Sequence, residues 1–164
     1  MGPRKTEQLQ IRLTAAEKGE IRRAAKAAKM DLSRWVLSKL LVEQRSTFRA
    51  LVRQLPEPGE SAAAFAELSD FLHELPRSDF GGAVDVPPPP GMSNQARNYV
   101  AAMVEHAAAK KEVRPPSWTA RVDPLARPYF ATTLRSLRIY LMTHAPIAFR
   151  RRNIFVDASV GDRV

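Results

Sequence analysis

A short run of alternating residues lies near the N-terminus, and no second run of this kind follows it in the sequence. Over residues 7–13, polar and apolar side chains alternate, and this period of two predicts a half-buried β-strand. A lone strand of about seven residues cannot pair its backbone groups or bury its apolar face alone. The nearest partner within the chain is the tail 152–157, which is a poor candidate. We therefore expect the partner strand to come from a second copy of the chain.

Two helices are predicted to follow this strand. The run from Thr14 to Glu17 has the pattern of a capping box, in which a threonine hydroxyl and a glutamate carboxylate each accept a backbone amide. It opens an alanine-rich helix over residues 15–29. Asp31 or Ser33 then caps a second helix. Because glycine and proline are absent from Glu20 to Leu55, this second helix is expected to run as far as Leu55.

A pair of such strands would present their polar side chains together. Two copies pairing antiparallel form a ribbon that fits the major groove of DNA, where glutamine reads adenine and arginine reads guanine. The predicted base-reading residues are Gln8, Gln10 and Arg12. Because a helix N-terminus attracts phosphate, Leu32 and Ser33 are predicted to contact a phosphate, and the basic side chains of Lys5 and Arg34 are expected to add further phosphate contacts. The predicted dimer core consists of Leu9, Ile11, Leu13, Leu32 and Val36.

This order of elements resembles the ribbon-helix-helix family of DNA-binding proteins, the Arc/MetJ type. The resemblance covers residues 5–42, through the strand at Gln8 to Leu13, the helix start at Thr14 to Glu17 and the second start at Met30 to Val36. It implies that the polar strand positions read bases and that the first amides of the second helix clamp a phosphate. The helical part is particularly similar to antitoxins of bacterial toxin–antitoxin pairs. One departure is Lys29, which stands where many relatives have a glycine in the turn between the helices.

Charge is distributed along the chain in three blocks. Residues 1–55 carry 13 basic and 5 acidic side chains, residues 56–92 carry 1 and 7, and residues 93–164 carry 12 and 5. Basic ends favour binding to a polyanion, and an acidic middle favours a basic partner or masking of one end. Solvated helix faces that merely segregate are the alternative. These blocks predict an N-terminal DNA-binding and dimerisation domain, an acidic helix with a linker, and a C-terminal partner-binding region.

The rest of the chain is predicted to be helical and rich in proline. The apolar spacing predicts an acidic helix over 61–75, a helix over 94–112 capped by Ser93, and a short helix near 134–143. Residues 76–92, with two adjacent glycines and a run of four prolines, are predicted to be a linker. The expected fold class is thus mainly α, with a ribbon-helix-helix unit completed by a dimer partner and a helical C-terminal region.

The C-terminal region is expected to bind a partner protein, most simply a cognate toxin. Aromatic residues and arginine dominate the energetics of protein interfaces. The expected partner-binding residues are Phe65, Leu68, Phe71, Leu72, Trp118, Arg150, Arg151 and Arg152. The acidic helix is the candidate for covering a basic, nucleic-acid-handling toxin face. Two alternatives for the arginine run are docking on the acidic helix of the same dimer and direct contact with nucleic acid.

Composition argues against several kinds of site. The chain has no cysteine, which excludes disulfides, a thiol nucleophile and cysteine-ligated zinc. His73, His106 and His144 lack metal-ligand spacing, and we find no phosphate-binding glycine loop or catalytic-triad motif. No run of about 18 apolar residues is present that could span a membrane. We therefore expect a cytoplasmic protein that is not an enzyme and has no cofactor or metal.

Together these features predict a homodimeric, sequence-specific protein that binds double-stranded DNA. By its resemblance it is an antitoxin, which neutralises a cognate toxin through its C-terminal region and represses its own operon at an operator. The alternative is a stand-alone transcriptional regulator with a C-terminal oligomerisation domain. A third interpretation, a structural protein that binds no DNA, requires the polar strand face to be covered. Assembly beyond a dimer stays open at this stage.

Overall fold

The computed structural model describes residues 12–157, apart from the side chains of Leu40 and Leu41. The chain divides into two compact units, Met1–Leu40 and Leu41–Val164, which we call the N-terminal unit and the C-terminal unit. Five of the predicted site residues lie outside the described residues: Lys5, Gln8, Leu9, Gln10 and Ile11.

Two helices joined by a tight turn form the described part of the N-terminal unit. Helix α1 spans Ala15–Ala27, and α2 spans Leu32–Gln54, so that it continues into the C-terminal unit. The predicted capping box is confirmed, because Thr14 Oγ1 accepts from the amide of Glu17 at 3.3 Å and Glu17 Oε2 accepts from the amide of Thr14 at 2.8 Å. The hydrogen bond from the Thr14 backbone, followed by that from its hydroxyl, lowers the pKa of the Glu17 carboxyl.

The turn between α1 and α2 contains a residue in the left-handed region. Lys29 has φ of 54°. The amides of Lys29 and Met30 donate to the carbonyls of Lys26 and Ala25, both at 3.0 Å. This is a Schellman motif, whose left-handed position usually holds a glycine. A lysine therefore adopts the conformation of the glycine seen in the resembling family, at a cost of about 1 kcal/mol.

The C-terminal unit packs short elements against one long central helix. The helices that follow α2 are α3 (Ala62–Glu74), α4 (Arg77–Ala83), α5 (Asn94–Lys110), α6 (Arg138–His144) and α7 (Ile147–Arg150). Two-residue strands β1 (Tyr129–Phe130) and β2 (Ile154–Phe155) pair in parallel, with Tyr129 opposite Ile154. Short 3₁₀ turns occupy Thr119–Arg121 and Arg135–Leu137. Helices α3 and α7 both contact α5, which is the centre of the unit.

Helix α5 is buried along most of its length. Ser93 caps it as predicted, since its Oγ accepts from the amide of Ala96 at 3.0 Å. Alanines on several sides allow neighbouring elements to approach closely, and a helix that is apolar all round is typical of a core position. The buried residues of α5 are Ala96, Asn98, Tyr99, Val100, Ala101, Ala102, Met103, Val104 and Ala108.

The predicted fold class is wrong in its central feature, the N-terminal ribbon. Among the described residues, β-structure is limited to the β1–β2 pair near the C-terminal end, and the rest is mainly helical. Arg12 and Leu13, at the end of the predicted strand, are not in a strand. Alternation over so few residues is a weak strand signal, because a strand this short gains little without a partner. Within residues 12–157, no strand pairs with Arg12 or Leu13.

The segment predicted as a linker, 76–92, is instead folded. Helix α4 occupies its first half and includes the two adjacent glycines. Phe80 and Val84 are fully buried, and Trp118 Nε1 donates to the carbonyl of Val84 at 2.8 Å. Tertiary burial of this kind outweighs the poor helix propensity of glycine.

The division between the two units lies inside α2 rather than after it. Phe48 and Val52, in the second half of this helix, belong to the core of the C-terminal unit. The predicted N-terminal domain extended to residue 55. No glycine or proline marks the division in the sequence, so a pattern of helix-breaking residues could not reveal it.

Candidate nucleic-acid interface

The described part of the N-terminal unit exposes many basic side chains. The exposed basic residues of 12–40 are Arg12, Lys18, Arg22, Arg23, Lys26, Lys29, Arg34 and Lys39. The acidic residues in the same range are Glu17, Glu20 and Asp31. Within residues 12–157, none of these eight basic side chains forms an ion pair or a side-chain hydrogen bond. Over residues 12–40, basic side chains therefore outnumber acidic ones by eight to three, and none of the eight is neutralised by an ion pair within residues 12–157.

Three of these residues line up on one face of α1. Lys18, Arg22 and Lys26 follow one another at i, i+4 spacing, which places them on neighbouring turns of the same face. We call this set the α1 basic stripe. At a rise of about 1.5 Å per residue it extends over about 12 Å. Like charges at this spacing destabilise an isolated helix, and a bound polyanion relieves that repulsion.

The predicted phosphate site at the start of α2 is already partly filled. Asp31 Oδ1 accepts from the amide of Arg34 at 2.9 Å, so that a carboxylate caps this helix. The backbone amides of Leu32 and Ser33 precede the capped amide of Arg34 along the chain, and both residues are exposed. A phosphate bound there would share the positive end of the helix with the Asp31 carboxylate. The neighbouring Lys39 lies over the Trp35 ring, with Nζ 5.7 Å from its centroid.

The described residues of the predicted dimer core are not covered within the chain. Leu13 is 43% exposed and Leu32 is 38% exposed, while Val36 is half-buried. Among the described side chains of the N-terminal unit, Ala25 is the buried one. A helix pair with so little burial gains too little free energy to offset the conformational entropy of folding.

Most of the side chains expected to meet a partner protein lie in the core instead. Phe65, Leu68 and Leu72 are buried on the inner face of α3. Phe71 is half-buried, with its ring centroid 6.4 Å from that of Phe48. Trp118 is also buried, and its Nε1 donates the hydrogen bond to Val84 described above. In this conformation these five side chains stabilise the C-terminal unit, and α3 presents its acidic side to solvent. Apolar spacing alone does not distinguish a core stripe from a docking stripe.

Arg152 is the hub of a buried polar cluster. Its Nε and Nη2 donate to the two carboxylate oxygens of Glu105 at 3.2 and 2.6 Å. Nη1 donates to Asn98 Oδ1 at 3.2 Å and to the carbonyl of Val122 at 3.1 Å. Nη2 also donates to the carbonyl of Thr119 at 2.7 Å. These bonds use all five guanidinium donors, so Arg152 has none left for an external ligand.

The other two arginines of that run have a different environment. Arg150 and Arg151 are exposed, as an interface with a partner requires. The expectation that the run docks on the acidic helix is not met by Arg152, whose carboxylate partner Glu105 lies on α5 rather than α3. Sequence reasoning missed both Glu105 and Asn98. They lie 47 and 54 residues from Arg152, so no local pattern connects them to it. A run of three arginines is by itself typical of solvated surface.

The histidines do not form a metal centre within the described residues. His73 and His106 both line a cavity of about 150 Å³, with Met103 and Phe149 on its apolar side. His144 lies on α6, stacked on Tyr140 with ring centroids 4.1 Å apart. Across residues 12–157, no group of three or more histidine, aspartate or glutamate side chains is placed to hold a metal ion.

Two further observations complete the description of the chain. Within the described residues, no helix has both the length and the apolar character needed to cross a membrane. Comparison of the chain with protein-family models, with curated proteins and with solved structures found no match.

Proposed function

We propose that this protein binds double-stranded DNA through its N-terminal unit. The observation that supports this most directly is the set of eight exposed basic side chains on residues 12–40, none of which forms an ion pair within residues 12–157. Duplex DNA carries a negative charge about every 1.7 Å along its axis. Neutralising those phosphates releases condensed counterions, which is a large source of affinity for basic surfaces of this kind.

The α1 basic stripe gives the proposed interface its geometry. Its three side chains follow one helix face over about 12 Å, so they can contact successive phosphates along one side of a groove. Arg12, just before the capped start of α1, is exposed and remains our candidate for contact with a base edge, since arginine pairs with guanine in the major groove. We treat Leu32 and Ser33 as secondary phosphate contacts, because the Asp31 carboxylate already caps the same end of α2.

We further propose that the DNA-binding form is a homodimer. The support is the small amount of burial in the described N-terminal unit, where Leu13 and Leu32 remain exposed. A second copy would cover these side chains and double the basic surface. Symmetric dimers bind two half-sites about one helical turn apart, so the DNA site would be a short inverted repeat.

Two finer versions of this function remain as proposals. In one, the protein is an antitoxin that represses its own operon and neutralises a toxin. In the other, it is a stand-alone regulator. Co-expression with the product of the neighbouring gene distinguishes them, because the antitoxin version requires that product to be toxic alone and harmless together with this protein.

A pair of charge-matched variants tests DNA binding by the N-terminal unit. One variant removes the stripe as Lys18→Gln, Arg22→Gln and Lys26→Gln. The matched control changes three exposed arginines of the C-terminal unit, as Arg114→Gln, Arg121→Gln and Arg127→Gln. Both lose the same net charge. Affinity of the full chain for a duplex is measured by fluorescence anisotropy at several salt concentrations.

We expect the stripe variant to lower the slope of log affinity against log salt by roughly 0.9 for each lost phosphate contact. The control is expected to leave the slope close to that of the unmodified protein. Equal losses in the two variants would mean that net charge alone governs binding. Unchanged binding by the stripe variant would refute the proposed interface.

A further inference from the structure

An apolar surface lies uncovered on the C-terminal unit. Residues 134–144, which comprise a 3₁₀ turn and α6, present five large apolar side chains to solvent: Leu134, Leu137, Ile139, Tyr140 and Met142. We call these five the α6 surface. Ile139 is 77% exposed, whereas Leu141 is the buried residue of α6. Single exposed apolar residues are common on proteins, but a contiguous group marks an interaction site.

Helix geometry shows that the exposed side chains of α6 form one face. Successive residues are rotated by about 100° around a helix axis. Ile139 is therefore opposite the buried Leu141, and Met142 and Tyr140 stand on either side of Ile139. Ile139, Tyr140 and Met142 therefore lie on the outer side of α6, and the core contact of this helix is made through Leu141 on its other side.

An open groove adjoins this surface. It has a volume of about 760 Å³ and runs between α3 and residues 129–134. Phe65 and Tyr99 line it, and their rings pack edge to face with centroids 4.8 Å apart. Leu134 also lines the groove and belongs to the α6 surface. The groove and the surface are thus continuous and together offer both a recess and a flat apolar area.

The chain around this surface is positively charged. Residues 124–156 contain six arginines and neither aspartate nor glutamate, although one of the six, Arg152, is buried and paired with Glu105. The guanidinium of Arg138 lies 5.0 Å from the centroid of the Phe130 ring, which lines the groove. Arg135 and Arg138 are exposed and form no side-chain hydrogen bond or ion pair within residues 12–157. The one acidic side chain that lines the groove is Asp70, which already interacts within the chain.

We propose that the α6 surface and the groove dock an acidic amphipathic helix of a partner protein. Apolar side chains of that helix would cover Ile139 and Met142 and enter the groove beside Leu134. Its carboxylates would pair with Arg135 and Arg138, whose planar donors suit bidentate carboxylate binding. This acidic partner differs from the toxin expected from the sequence, whose basic face was predicted to meet the acidic helix α3. Docking of the acidic partner does not depend on DNA binding.

Charge and shape favour this occupant over three others. A second copy related by a two-fold axis would set the same arginines against each other. A phosphate backbone offers nothing to cover the aliphatic side chains of Ile139 and Met142. Helix α6 has seven residues, about 10 Å in length, which is short for a helix that lies in a lipid interface.

Designed peptides test the proposal with the full chain. The probe is a fluorescently labelled helical peptide with leucine at i, i+3, i+4 and i+7 and glutamate at most other positions. One comparison peptide has lysine in place of glutamate, and another has serine in place of leucine. Each is titrated against the unmodified protein and against Ile139→Glu, Arg138→Glu and the control Val42→Glu. Val42 is a comparably exposed aliphatic residue on α2.

We expect saturable binding of the leucine–glutamate peptide and at least about tenfold weaker binding of both comparison peptides. Ile139→Glu and Arg138→Glu should each weaken binding by about tenfold or more, and Val42→Glu by less than about twofold. Absence of binding at about 1 mM peptide, or equal binding by these variants, would overturn the proposal. Three other results would also overturn the proposal: self-association, binding to anionic vesicles or binding to DNA, if Ile139→Glu abolishes it. Each would identify the bound species as the occupant of the α6 surface.

Discussion

At the scale of single residues, the cluster around Arg152 shows how far a side chain's role depends on its tertiary environment. Arg151 and Arg152 are neighbours in the sequence, yet one is exposed and the other is 5% exposed. Burial of a guanidinium is tolerated because every donor finds an acceptor. No local pattern distinguishes these two arginines, since the acceptors come from residues 30 to 54 positions away. The capping box of Thr14 and Glu17, by contrast, involves neighbours and was predicted in full.

Removing Arg152 should destabilise the protein strongly. Arg152→Met leaves the Glu105 carboxylate, whose side chain is 20% exposed, without its partner. We expect the free energy of unfolding to fall by about 3 kcal/mol, measured by urea denaturation. The control Arg151→Met should change it by less than about 0.5 kcal/mol. Equal effects of the two substitutions would contradict the assignment of Arg152 as a structural hub.

Tyr99 should make the stability fall at high pH. Burial, with a smaller contribution from Tyr129, raises the pKa of Tyr99 to about 12 from its ordinary value of 10.0. Between these two pH values the unfolded chain loses this proton while the folded chain keeps it, so stability decreases as pH rises. A shift of this size corresponds to about 2–3 kcal/mol. Denaturation at pH 9 and pH 12 should show a smaller decrease for Tyr99→Phe than for the unmodified protein. Identical decreases would show that Tyr99 does not titrate in this window.

At the scale of secondary-structure elements, the helices with strong local signals were predicted, as was the short helix α6, whereas α4 was not. Helices α3 and α5 lie close to their predicted ranges, because an apolar stripe and a serine cap define each of them. Helix α4 was missed, since its glycines and the prolines that follow indicate a flexible segment. Its stability comes from burial against other elements, which a local pattern does not contain. The prediction of an N-terminal strand was wrong for the opposite reason, because a local alternation was present but the described residues supply no partner strand for it.

A pair of substitutions in α4 tests whether this element is folded. Phe80 is fully buried, so Phe80→Ala should lower the free energy of unfolding by about 3–5 kcal/mol. Ser78→Ala, at an exposed position of the same helix, should change it by less than about 0.5 kcal/mol. The comparison is made by urea denaturation of the full chain. If neither substitution changes the free energy of unfolding, residues 76–92 would again be interpreted as a linker.

At the scale of the whole molecule, the two units differ in how they obtain stability. The C-terminal unit has a continuous core around α5, whereas the described N-terminal unit has one buried side chain and an excess of positive charge. The charge blocks read from the sequence indicated the basic N-terminal region correctly, since they depend on composition alone. The proposed docking surface on α6 could not be found in that way, because exposure of apolar residues is a property of the folded chain.

Binding of DNA to the N-terminal unit can be followed by amide hydrogen exchange of the full chain, with and without a duplex from its own upstream region. We predict slower exchange over residues 12–40 on binding, because contact with DNA and pairing of two copies both suppress local opening. Residues 134–144 should exchange at the same rate in both samples. Slower exchange confined to residues 134–144, with residues 12–40 unchanged, would contradict the account and move nucleic-acid binding to the C-terminal unit.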